Sequence, residues 1–173
     1  MPFAVTLCCN ASSASVVEDW WRTLAEQNVD CDRQQLGYAP HVTLGIYADD
    51  APAFRLAAEI ERFAADWTTL AVALSGFGIF PGANTILWAA PVVTQDLLDR
   101  HRAWHEALPE IPVHPHYRPG AWVPHVTLSA ALVDPGRALA ALIPGWQPAT
   151  LHLSRLELVR FRPVSVLSSH SLG

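Results

Sequence analysis

Pro40-His41-Val42-Thr43-Leu44 occurs twice in this chain, returning letter for letter as Pro124-His125-Val126-Thr127-Leu128, 84 residues later. The offset is close to half of the 173 residues, which is the mark of an internal repeat. Both copies are short runs with β-branched residues behind a proline, so both are predicted strands. Side chains alternate on a strand, so His41 and Thr43 share one face and Val42 and Leu44 the other. The same holds for His125 and Thr127 against Val126 and Leu128. Each copy thus offers an imidazole and a hydroxyl to one side and two aliphatic groups to a core.

The flanking sequence repeats with the motif. Phe3–Cys9 reads as a strand, followed by cap candidates Asn10 and Ser12 and a helix to about Asn28 with Val17, Trp20, Trp21 and Leu24 on one stripe. A polar loop through Asp30, Asp32 and Gly37 leads to the strand His41–Tyr47. Asp50 is the expected cap of a helix carrying Leu56, Ile60 and Phe63, and Thr69–Phe80 is a strand bulged near Gly76 and Gly78. The second half runs through a strand Thr85–Ala90, a Thr94-capped helix and a long loop Pro109–Val123. The strand His125–Leu132, a helix opened by Asp134-Pro135, and strands Leu151–Phe161 and Val164–Ser168 complete it. At the same offset Trp20 falls on Trp104, Asp50 on Asp134 and Phe77 on Phe161. The expected fold is α+β. It is a bilobal, pseudo-two-fold repeat in one domain (1–173), with lobes of about 1–80 and 81–173. Two antiparallel sheets form a central cleft, helices lie on the outer faces, and strand exchange between lobes is compatible with the pattern.

Composition excludes several functions. Hydrophobic residues make up 51% and charged residues 16%, a globular balance. A formal net charge of −5 argues against an extended nucleic-acid surface, while leaving room for a small phosphorylated ligand. All 11 basic residues are Arg, so neither a Schiff-base nor a P-loop lysine is available. No basic region precedes a long apolar N-terminal segment and no run has the length of a membrane span, so a cytoplasmic protein is expected. Three cysteines, two adjacent, suit neither a disulfide framework nor a zinc site.

Two histidines facing each other across a cleft suit general acid–base displacement at a phosphodiester. One takes the proton of the attacking oxygen and the other protonates the leaving oxygen, while the threonine hydroxyls donate to the phosphoryl oxygens. Two H-x-T motifs on strands half a chain apart resemble the 2H phosphoesterase superfamily. Its members include bacterial RNA 2′,3′-cyclic phosphodiesterases (2′-5′ RNA ligases) and plant and yeast cyclic nucleotide phosphodiesterases. Gly76–Pro81 with Ile86–Ala89, and Leu156–Arg160, look like segments of the RNA-ligase-like branch. Tyr117–Trp122 is more like small bacterial members. The resemblance implies His41 and His125 as the catalytic pair, and Thr43 and Thr127 as phosphate holders. It implies no metal or cofactor, and a nucleotide or RNA end with a cyclic phosphate as substrate. A monomer is the expected state.

Around this pair, Tyr47 shares His41's face if the strand stays regular, and Tyr117, Arg118 and Trp122 are candidates for substrate contact from the loop. His114 and His116 lie in the same loop. Strand parity aims Arg160 and Arg162 away from the cleft. His101 and His105, at i and i+4, read as helix-face histidines, since no H-E-x-x-H pattern accompanies them. Cys8 reads as a buried small hydrophobe. A binding module for a phosphorylated nucleotide or RNA end, without turnover, is the alternative function.

Overall fold

The computed structural model describes residues 1–173 as seven strands and five α-helices. The strands are β1 (Phe3–Cys9), β2 (His41–Tyr47), β3 (Leu70–Phe80), β4 (Thr85–Pro91), β5 (Val126–Leu132), β6 (Ala149–Arg160) and β7 (Ser165–Ser171). The helices are α1 (Ala11–Glu26), α2 (Asp32–Leu36), α3 (Ala53–Asp66), α4 (Gln95–Ala107) and α5 (Pro135–Leu142). All strand pairs are antiparallel, in the order β2-β1-β6-β3-β4-β5, with β7 on β6.

The two expected sheets are therefore halves of one sheet. The long strands β3 and β6 join them: their early residues pair with each other, from Leu70↔Leu153 to Leu74↔Ala149. Beyond that point they part. β6 continues along β1 to Phe3↔Arg160, and β3 continues along β4 to Phe80↔Ile86. Gly76, at φ +158°, lies at the register shift where β3 leaves β6 for β4, a backbone that favours glycine.

Helix starts follow their caps. Asn10 accepts the Ser13 amide, Thr94 the Leu97 amide and Asp134 the Arg137 amide. Asp50 does not cap α3. That helix begins at Ala53 behind Pro52, too far along for the Asp50 carboxylate to serve its first turn. The polar loop before the first motif contains the short helix α2, whose five residues bury no apolar stripe and so leave no periodic signal. Trp20, Trp21 and Leu24 of α1, Leu56, Ile60 and Phe63 of α3, and Leu97 and Trp104 of α4 join one core with Val5, Leu7, Val42 and Leu44. Burying an aliphatic or aromatic side chain of this kind contributes about 1.5–3 kcal/mol. The opposite parity of β1, Ala4 and Thr6, faces the cleft.

Candidate active site

The two motif strands are paired alike. In β1–β2 the register runs Val5↔Gly45, Thr6↔Thr43, Leu7↔Val42; in β4–β5 it runs Leu87↔Ser129, Trp88↔Thr127, Ala89↔Val126. Each skips one residue, Leu44 or Leu128, so each motif strand carries a bulge just after its threonine. Before the bulge, His41 and Thr43 are half-buried and Val42 is buried; His125, Thr127 and Val126 match them. After it the parity is shifted: Ile46 and Ala130 face the cleft, and Gly45 and Ser129 are buried. This is why Tyr47 is not in the cleft. Its ring is 2% exposed in the core and its hydroxyl accepts the Trp104 indole N–H at 2.6 Å. The expectation of a regular strand fails at the bulge.

His41, Thr43, His125 and Thr127 line one cleft of about 300 Å³. Each histidine is oriented by the chain just before it. Nδ1 of His41 donates to the Ala39 carbonyl at 2.7 Å, and Nδ1 of His125 to the Val123 carbonyl at 2.8 Å. A carbonyl only accepts, so the proton of each neutral ring sits on Nδ1 and the Nε2 lone pair is left for other partners. Burial pushes the His41 pKa down to about 4, only partly opposed by the Ala39 carbonyl. Burial lowers that of His125 as well, against the Val123 carbonyl.

The surroundings of the two rings differ. Tyr38 packs on His41 with ring centroids 4.9 Å apart, and its hydroxyl donates to Glu157 Oε2 at 2.7 Å while lying 2.7 Å from Thr6 Oγ1. Glu157 also accepts from Ser169 at 2.8 Å and Arg155 at 3.0 Å. Burial opposes its ionisation, but hydrogen bonds from Tyr38, Ser169 and Arg155 outweigh this and hold its carboxyl below the ordinary carboxylate range. Cys8 donates to the same carboxylate; it is fully buried, and burial pushes its thiol up to about 12. His125 instead meets the edge of Phe80 at 5.0 Å and Trp88 at 6.1 Å.

Tyr117 lines the cleft from the long loop, whereas Arg118 is exposed and makes no side-chain contact with it. Trp122 faces the back of β2: its indole donates to the Thr43 carbonyl at 3.0 Å and stacks on His101 at 3.9 Å. Trp21 of α1 does the same for the other motif, donating to the Thr127 carbonyl at 3.2 Å. His101 and His105 sit behind β2, 2.9 Å from the Tyr117 carbonyl and 3.0 Å from the Leu44 carbonyl. Phe161 lines the cleft; Phe77 packs with Trp20 and Trp146. Arg160 lies over Phe3, as parity requires, but Arg162 reaches the cleft. Strand β6 ends at Arg160, and the turn that follows cancels the alternation.

Sequence reasoning passed over Arg33, Tyr38, Thr6 and Glu157. Tyr38 had a signal: it stands three residues before His41, as Trp122 stands before His125, and of that matched pair it is Tyr38 that lines the cleft. Arg33 lies on α2, whose five residues bury no apolar stripe, and nothing in its spacing marks it.

The chain matches the family model described as the 2′-5′ RNA ligase superfamily over residues 14–163. No curated protein matches it. Among solved structures, TT0787 of Thermus thermophilus is similar at 18% identity and TM-score 0.63, covering 99% of this chain and 98% of that one. Escherichia coli LigT complexed with 3′-AMP is similar at 13% identity and TM-score 0.63, covering 99% of both chains. Kluyveromyces marxianus Usb1 with uridine monophosphate follows at 13% identity and TM-score 0.54, covering 99% and 97%. No helix of the chain is long and apolar enough to cross a membrane. With its family matched over most of its length and its fold shared with these proteins, the chain belongs to the 2′-5′ RNA ligase superfamily of 2H phosphoesterases.

Proposed function

We propose that the protein is a metal-independent phosphoesterase that hydrolyses a 2′,3′-cyclic phosphate, or a 2′-5′ phosphodiester, of a nucleotide or RNA end. The observation that carries this reading is the shared cleft of His41, Thr43, His125 and Thr127, with both Nδ1 atoms already engaged by carbonyls. With a cyclic phosphate between the rings, one neutral imidazole takes a proton from water through Nε2 as the water oxygen bonds to phosphorus. The bond from phosphorus to the ribose 3′ oxygen breaks, and the other imidazole, protonated, gives that oxygen its proton. The product is a 2′-phosphate. Thr43 and Thr127 donate to the non-bridging oxygens as charge builds there. Which histidine acts as base depends on the direction in which the substrate lies. LigT with 3′-AMP and Usb1 with uridine monophosphate add support for a nucleotide ligand.

The test is hydrolysis of a panel of nucleoside and nucleotide 2′,3′-cyclic phosphates in EDTA. Activity should persist in EDTA, and His41→Ala or His125→Ala should each lose about 10²–10⁴-fold in rate. Full activity in either variant would sink the mechanism. Tight binding of the panel with no product over hours would favour a binding module instead.

A further inference from the structure

The cleft holds cationic groups that hydrolysis of a lone cyclic phosphate does not use. Arg33 of α2 lines it beside His41, with its side chain 13% exposed. One terminal nitrogen lies 3.2 Å from Asp32, while Nε is buried with no hydrogen-bond partner. Arg162 lines the same end and directs both terminal nitrogens at Asp32. Asp32, which pairs with both guanidinium groups, does not itself line the cleft. A buried donor without a partner costs free energy, and positive charge near His41 works against its protonated form. An anion arriving beside Arg33 with the substrate would offset that positive charge.

The other side of His125 has the opposite character. A second cavity, of about 480 Å³, is lined by Phe80, Pro81, Asn84, His116 and Val123 and carries no Arg, Asp or Glu. His125, Ile86 and Tyr117 line both cavities. A flat neutral group suits this side and an anionic group the Arg33 side, with the reacting phosphate between them.

We propose that Arg33, with Arg162 beside it, forms a subsite for a second phosphate, the one on the ribose 5′ oxygen. The preferred substrate is then a 2′,3′-cyclic phosphate carrying a 5′-phosphate or 5′-phosphodiester, not a simple nucleoside cyclic phosphate. This rests on the phosphoesterase reading above. A planar guanidinium supplies paired donors to phosphate oxygens, which a buried site strengthens.

Isothermal titration with adenosine 2′-phosphate and adenosine 2′,5′-bisphosphate, at neutral pH and low salt, tests it without requiring turnover. The bisphosphate should bind about 10–100-fold more tightly to the wild type. The gap should collapse in Arg33→Met and be partly kept in Arg33→Lys, which retains a charge but not the fork. Equal affinities in the wild type, or no binding of either ligand, would overturn the subsite. So would a full gap in folded Arg33→Met. The wild-type comparison stands even where a variant fails to fold. Turnover of cyclic substrates is read separately: normal hydrolysis with equal affinities removes the subsite and leaves the phosphoesterase reading intact.

Discussion

The same five letters rest on two different floors. Thr6 lies in register with Thr43 on one side and Glu157 on the other; in the second half, Trp88 lies in register with Thr127 and Gly78. Where the first half places a hydroxyl and a carboxylate, the second places an indole over a residue with no side chain. A Cβ at Gly78 would run into the Trp88 ring, so the glycine is what lets the indole lie there. Identical motifs thus do not give equivalent histidines. His41 stands over a hydrogen-bonded polar network and His125 against aromatic edges, so the protein itself supplies an asymmetry that its repeated sequence conceals.

Breaking the polar floor has the largest expected effect on this contrast. Glu157→Ala leaves the Tyr38 hydroxyl, Ser169 and Arg155 without their shared acceptor, and should cost about 3 kcal/mol in urea unfolding. Because Tyr38 packs on His41, turnover should fall as well; unchanged stability and turnover together would show the network to be idle. Gly78→Ala attacks the other floor. It should cost about 1–3 kcal/mol by displacing Trp88, with its activity loss relieved in Gly78→Ala/Trp88→Phe if the indole is the strained group.

Protonation gives a smaller, graded test. The pKa values of both cleft histidines are depressed by burial, His41 to about 4. In the free protein both rings are therefore neutral at pH 7, and the form that can act as acid becomes scarce as pH rises. The profile of kcat/KM, which reports the free enzyme, should peak below about 6.5 and fall roughly tenfold per unit on its alkaline side. A peak above 7 would contradict the burial. The same depression makes the unfolded chain bind more protons than the native one between about 4 and 6.5, so these groups withdraw stability as pH falls through that window.

The smallest effects should be the most alike. Trp21→Phe and Trp122→Phe each remove one indole donor from a motif carbonyl, and each should cost about 0.5–1.5 kcal/mol in urea unfolding. Near-equal losses would show that the backs of the two strands are matched although their floors are not. A large excess for Trp122 would trace to its stacking on His101.

What the sequence disclosed was what the repeat preserves. The motif strands, their His–Thr faces, the apolar stripes of α1 and α4 and the caps at Thr94 and Asp134 follow from periodicity and local chemistry. Tyr47 was misplaced because a bulge shifts parity without changing any letter of the motif. Arg162 was misplaced because alternation holds only while a strand continues. Glu157 and Thr6 were missed because they come from β6 and β1, brought together with Tyr38 only by the sheet order. Arg33 was missed because α2 buries no apolar stripe, so nothing periodic marks the segment that carries it.

The motif strands β2 and β5 are also the two ends of the strand order. An edge strand displays unpaired carbonyls on which another chain can build, and the two motif strands of this protein occupy that position. On β2, the Trp122 indole takes the Thr43 carbonyl, His105 the Leu44 carbonyl and the His114 amide the Ile46 carbonyl. On β5, Trp21 takes the Thr127 carbonyl. These side chains and the His114 amide therefore act as terminators of the sheet, occupying edge carbonyls on which a neighbouring polypeptide would otherwise build.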